Sequence, residues 1–328
     1  FINFTMQRIS LICLLISISL SVSSDEIYND SWALVIGINK YNKVSHLDYA
    51  VEDAYAVTEL LSSKMNFPRK NIITLTDEDA SLNNIKNNLH KISTGAGKND
   101  RVLIFFAGHG MTEELPGGGD VGYLMPIDGD RKNLFSTALA MEDLKKISSM
   151  SPSKHMLFLI DACYGGLAAA GARGGLDITD ENYIEKITRD KSRQIITAGG
   201  KGEEVVEKSE WGHSAFTMNL IRALDEGKAD INYDGYITAY ELGLFLQEKV
   251  TIDSGSKQTP QARRFESYDG EFIFINNVET VNYSKEVVQK DETVEIDYDK
   301  LADKLAGRQL SDKTKKYTFG IFPLGFAS

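Results

Sequence analysis

Cysteine is scarce in this chain: two residues, Cys13 and Cys163, in 328. Cys13 falls inside an apolar leader-like run, so one thiol is expected in the mature protein and an internal disulfide is excluded. A dense Lys/Arg block is also missing and the formal net charge is -11, which argues against nucleic acid as a partner. The apolar run from Ile9 to Leu20 is too short to cross a bilayer. Neither Gly117–Gly119 nor Gly199–Gly202 continues into the Gly-Lys-Ser/Thr of a phosphate loop. His46, His90, His155 and His213 show no metal-ligand spacing, and no internal repeat is visible.

What is present is the composition of a folded protein, 42% hydrophobic with 14 Tyr and 15 Phe. Met6 to Arg8 is a short basic start, and Ser21 to Ser24 supplies small residues for cleavage before Asp25. Residues 1–24 therefore read as a signal peptide, and the mature protein is expected to be secreted or periplasmic with no stable membrane span. Residues 25–278 read as one domain. Residues 279–328 read as an acidic linker and a tail whose apolar end, 317–326, resembles a module cut short.

Within the domain, apolar runs alternate with helical patterns. Strands are expected at Trp32–Ile38, Ile72–Thr76, Val102–Gly108, Met156–Cys163, Gln194–Ala198 and Phe272–Ile275. Helices are expected at Ala50–Met65, Ser81–Ile92, Met141–Ser149, Ser214–Leu224 and Thr238–Val250, and 115–130 reads as a loop or short hairpin. This order predicts an α/β fold with a mostly parallel sheet of about six strands and helices on both faces. Ligands of such sheets bind at the carboxyl ends of the strands.

Two of those ends carry chemistry. The third strand runs into His109-Gly110, and the fourth runs through Asp161 into Cys163. A thiol and an imidazole on strand ends are the minimum set for a cysteine nucleophile with an acid/base partner. The backbone N–H groups of Gly110 and Cys163 are candidates for an oxyanion hole. Asp161 is a carboxylate ending an apolar run, where burial is costly. Asp53 opens the first helix, where the helix dipole alone would favour a solvated carboxylate.

The sequence Asp161-Ala-Cys163-Tyr-Gly-Gly166, with strand-His109-Gly110 54 residues upstream, resembles the caspase-like peptidases, where the histidine lies about 50 residues before the cysteine. The aspartate two residues before the cysteine points to the metacaspase and bacterial caspase-like branch. The resemblance covers about Ser31 to Ile275. It implies a caspase-like fold and a Cys163/His109 dyad that needs no cofactor. It also implies a specificity pocket containing Asp53 and Asp161, which would accept a peptide or protein with Arg or Lys before the cut. Glu203 and Glu204 are further candidates for that pocket, and His213 is the fallback imidazole. The family's calcium dependence runs through an aspartate cluster that does not map onto this chain.

Independently, Asp230, Asn232, Asp234, Gly235, Tyr236, Thr238 and Glu241 fit the spacing of a twelve-residue EF-hand loop, so Ca2+ is a candidate ligand there. Arg173 stands among small residues just after the nucleophile strand, an expected site of self-cleavage. Two rivals to a peptidase stay open: a non-catalytic peptide-binding scaffold on this fold, and another thiol acyl-transfer enzyme such as an amidase or transpeptidase.

Overall fold

The structure, a computed structural model, describes residues 27–163 and 183–276. The expected leader at 1–24, the segment around Arg173 and the tail at 279–328 lie outside the described residues. Strands β1 (Ser31–Gly37), β2 (Ile72–Thr76), β3 (Arg101–Ala107), β7 (His155–Cys163) and β8 (Ser192–Gly199) form the parallel core of the sheet. The order across the six strands is β12-β8-β7-β3-β1-β2, and β12 (Gln261–Arg264) is antiparallel to β8. A hairpin of β4 (Gly110–Glu114) and β5 (Asp120–Leu124) follows β3, with β6 (Leu139–Ala140) alongside. Two short ribbons complete the strands: β9 (Glu207–Lys208) with β10 (His213–Ser214), and β11 (Tyr236–Thr238) with β13 (Ile273–Ile275).

The β3 residues are buried throughout because both faces of the sheet are covered. Helices α1 (Ala50–Ser63), α6 (Ala215–Asp225) and α7 (Ala239–Asp253) cover one face, packing on Val35, Phe105, Leu157 and Ile196. Helices α2 (Leu82–Gly95) and α4 (Met141–Met150) cover the other, on Ile36, Phe106, Phe158 and Ile195. Short helices α3 (Leu134–Thr137) and α5 (Tyr183–Arg189) lie in the connections. The helical spacing Ala50, Ala54, Val57, Leu61 is the face that α1 buries. Ser81 caps α2, its hydroxyl accepting the Asn84 N–H at 3.3 Å.

One expected strand lies elsewhere. Phe272–Ile275 does not join the main sheet; β13 pairs with β11, and the sixth strand is Gln261–Arg264. That edge strand has one neighbour and a polar sequence, so no apolar run marks it. The 115–130 segment resolves into the turn and second strand of the β4–β5 hairpin.

The opposite end of the sheet is closed by buried cations. Arg101 donates to the carbonyls of Met65 and Ile273 and stacks on Phe67, while Arg193 donates to the carbonyls of Ser148, Ser151 and Ser153. Such fixed donors satisfy backbone acceptors that would otherwise be buried unpaired.

Candidate active site

β3 and β7 are neighbours in parallel register, with Ala107 opposite Asp161. His109 follows β3 by two residues and Cys163 ends β7, so both stand at the carboxyl edge of the sheet. Against β8 the β7 register slips between Ile160 and Cys163. A bulge of this kind re-aims side chains next to a site. The side chain of Cys163 lies outside what is described; the β7 backbone places residue 163 at the sheet edge beside the strand that leads to His109.

His109 is held on two sides. Its Nε2 lies 2.9 Å from the Ser45 carbonyl oxygen, so the ring donates there and the Nε2–H tautomer follows. Its backbone N–H donates to the Tyr41 hydroxyl at 2.8 Å, and the two rings lie 4.9 Å apart. Tyr41 comes this close because residue 108 is glycine: a Cβ there would stand 2.4 Å from the Tyr41 hydroxyl. Among the described residues Nδ1 has no hydrogen-bond partner, which leaves that nitrogen open for proton exchange. Burial pulls the His109 pKa below the ordinary imidazole value, opposed by the Ser45 carbonyl. Gly110 begins β4, opposite Leu124.

The two carboxylates come together. Asp53 is 1% exposed and Asp161 2%, so the solvated reading of Asp53 is excluded. Ser214 caps α6, accepting the Thr217 N–H at 2.9 Å. Its hydroxyl donates to Asp161 Oδ2, and Thr217 Oγ1 donates to the same oxygen at 2.8 Å. The Ser214 N–H donates to Asp53 Oδ2 at 3.3 Å, and His213 Nδ1 lies 2.7 Å from Asp53 Oδ1. Both carboxylates thus sit at the positive end of one helix. Burial, then the nearby Asp53 charge, pushes the Asp161 carboxyl up to about 8. Burial also raises Asp53, opposed chiefly by His213. Among the described residues Asp161 Oδ1 is buried with no hydrogen-bond partner.

Glu203 and Glu204 are not part of this group. Glu203 accepts the N–H groups of Gly200 and Thr259, closing a turn, and Glu204 is exposed. The third acid is Glu207, opposite Ser214 on the β9–β10 ribbon; burial raises its pKa and the Asp53 charge adds to the shift. Neither Ser45 nor Tyr41 was marked by sequence, because a backbone carbonyl and a stacked ring carry no motif. The spacing Ser214-x-x-Thr217 before an apolar helix was a cap signal that could have been read.

The loop of 230–241 lies between α6 and α7, with Gly235 at φ 87° making its turn. Asp230 accepts the Asp234 and Gly235 N–H groups, and Asp234 accepts that of Tyr236. Glu241 forms a capping box with Thr238 and also accepts the Ile231 N–H. Asn232 donates to Asp234 at 2.9 Å. Burial, with a neighbouring carboxylate adding, raises Asp234 and Glu241. Among the described residues no three His, Cys, Asp or Glu side chains converge on a point as metal ligands, since the loop's acids are turned to its own backbone.

Metacaspase-1 of Eremothecium gossypii is 30% identical to this chain over 146 residues, 42% of this chain and 32% of that protein. Metacaspase-1A of Aspergillus oryzae is 27% identical over 150 residues, 42% and 34% of the two chains. The matches take in about a third of the length of these relatives. Among solved structures, protein GSU0716 from Geobacter sulfurreducens superposes with a TM-score of 0.50 at 15% identity, covering 72% of this chain and 93% of that one. At that identity the likeness speaks for the fold alone. The family described as Caspase domain matches residues 30–267, a span that holds His109, Cys163 and both buried carboxylates. The chain belongs to the caspase domain family.

Proposed function

We propose that this chain is a cysteine endopeptidase that cuts after Arg or Lys. The observation that carries the reading is the pair of adjacent strand ends, one bearing Cys163 and the other an imidazole with Nδ1 open and Nε2 anchored on Ser45. The Cys163 thiolate attacks the scissile carbonyl carbon. The resulting oxyanion is stabilised by backbone N–H donors, for which Gly110 and Cys163 are the candidates. His109 Nδ1 takes the Cys163 thiol proton as the thiolate forms and delivers it to the leaving amine as the C–N bond breaks, and water then hydrolyses the thioester, releasing the acid and restoring the thiol. A lowered imidazole pKa favours proton loss to the amine.

The preference for a basic residue is supported by two carboxylates in one buried group, one of them with an oxygen that has no partner among the described residues. A cationic side chain would satisfy it, whereas an acidic one would add like charge to a buried site. Export through the 1–24 leader and self-cleavage after Arg173 belong to the same reading. So does Ca2+ at 230–241, held by Asp230, Asn232, Asp234, the Tyr236 carbonyl, Thr238 and Glu241. All are hard oxygen donors, and the ion would stiffen the α6–α7 connection without entering the chemistry. Peptide amides ending in Arg, Lys, Asp or Gln, assayed with the purified chain, test the reading: turnover confined to Arg and Lys and abolished in Cys163→Ala is expected. Preference for Asp, or turnover retained by Cys163→Ala, would overturn it.

A further inference from the structure

The group around Asp53 contains a basic side chain that the chemistry above does not use. His213 precedes the cap residue Ser214, and its Nδ1 lies 2.7 Å from Asp53 Oδ1. One dipeptide therefore handles both carboxylates: His213 takes Asp53, and the Ser214 hydroxyl takes Asp161. Asp53 is fully buried, but the His213 side chain is 25% exposed, so the imidazole can exchange protons with solvent while its partner cannot.

We propose that His213 is a specificity-determining residue: its imidazole is the resident counter-charge of Asp53, and a basic substrate side chain binds in competition with the proton that His213 carries. This rests on the reading of the pocket as a site for Arg or Lys.

With a neutral imidazole the His213–Asp53 pair carries one negative charge, and with a protonated one it carries none. Asp161 keeps its proton up to about pH 8 because burial and the Asp53 charge oppose ionisation. Asp53 is then the carboxylate of this group whose counter-charge is the His213 imidazole in contact with it.

Charged groups from several elements surround the His213–Ser214 dipeptide. Asp53 from α1 contacts His213, Asp161 from β7 accepts from Ser214, and Glu207 on β9 lies opposite Ser214 in the ribbon. Asp48, whose N–H donates to Glu207, lies in the loop before α1. Among the described residues the cation on this side is Lys208, opposite His213 in the ribbon, with its ammonium 4.1 Å from the Trp211 ring centroid. Acids outnumber it, so proton uptake by His213 is the step that weakens the hold on a guanidinium or ammonium. By linkage, a bound cation must expel that proton to the same degree.

The test uses the full chain carrying Cys163→Ala, titrated calorimetrically with an acetylated peptide ending in Arg between pH 5 and 8. Affinity should rise with pH, by up to about tenfold per unit for one linked proton, with proton release on binding. His213→Gln keeps an N–H for Asp53 but cannot take up the proton, and should flatten that slope, leaving the part contributed by Asp161. The same slope in both proteins would overturn the proposal. Should the Gln variant fail to fold, the His213 ring carbon resonance in the Cys163→Ala protein decides. Its titration midpoint should fall when the Arg peptide is bound, and an unmoved midpoint would overturn the proposal. If the unmodified enzyme does not cleave Arg or Lys substrates at all, the basic-pocket reading fails and takes this one with it. An unchanged slope alongside Arg cleavage removes only the role of His213.

Discussion

Ser214 donates its hydroxyl to Asp161 while its backbone N–H reaches Asp53, so a single cap residue at the start of α6 ties together two carboxylates from β7 and α1. The helix cap is thereby part of the buried carboxylate group, so a change at Ser214 acts on both acids at once.

Cys163→Ala should leave the fold intact and remove measurable peptide hydrolysis. His109→Ala should lower kcat by about 10²–10⁴. A comparable loss in His213→Ala together with a mild effect in His109→Ala would reassign the acid/base role.

Asp161→Asn should lower kcat/KM for Arg substrates by about ten- to a hundredfold above pH 8, where the carboxyl ionises and a charge-assisted hydrogen bond is worth ~1.5–3 kcal/mol, and should change it little near pH 6, where the carboxyl already holds its proton. The stability effect runs the other way. A carboxyl raised to about 8 in the folded state binds its proton more tightly there than when unfolded. Stability contributed by that proton is present at low pH and is lost as pH rises through 8. Thermal melts at pH 9 should therefore place Asp161→Asn above the unmodified protein. A variant less stable at pH 9 and undiminished on Arg substrates would contradict both halves.

His155 predicts an acid limit. It is fully buried and accepts from the Tyr28 hydroxyl at Nδ1, donating from Nε2 to the Asp190 carbonyl. Burial lowers its pKa to about 3. The unfolded chain therefore takes up this proton first, and stability falls as pH drops from about 6.5 toward 3, by a few kcal/mol. His155→Gln should lose stability at neutral pH but show a shallower acid dependence; denaturant melts at pH 7 and 4.5 measure both.

Calcium at millimolar concentration should raise Tm by a few degrees, as expected for ~1–2 kcal/mol of ligand stabilisation in a domain of this size. Asp230→Ala combined with Glu241→Ala should abolish the rise. Calorimetry detecting no calcium binding to the unmodified chain would remove the ion from this loop.

Active enzyme should convert itself into two associated fragments by cutting after Arg173, while Cys163→Ala stays whole. Intact mass spectrometry distinguishes this from an outside protease, which would cut both.

The parallel core was legible in the sequence because strands covered on both faces are continuous apolar runs, as in Val102–Ala107. The strand ends carrying His109 and Cys163 followed from those runs. Strand β12 was not legible, since an edge strand reading Gln-Ala-Arg-Arg needs only a neighbour and backbone hydrogen bonds. The EF-hand-like spacing located the loop and its turn glycine, but spacing does not say that the acids turn to their own N–H groups.

By itself the sequence determined the alternation of elements, the two chemical strand ends and their order, because these depend on local pattern and short spacings. Only tertiary structure decided that Asp53 is buried, that His213 reaches it across 160 residues of chain, and that the Ser45 carbonyl sets the His109 tautomer. Those relations arise where chain crossovers bring distant strand ends to one edge of the sheet, and a buried charge takes whichever partner the packing leaves within reach.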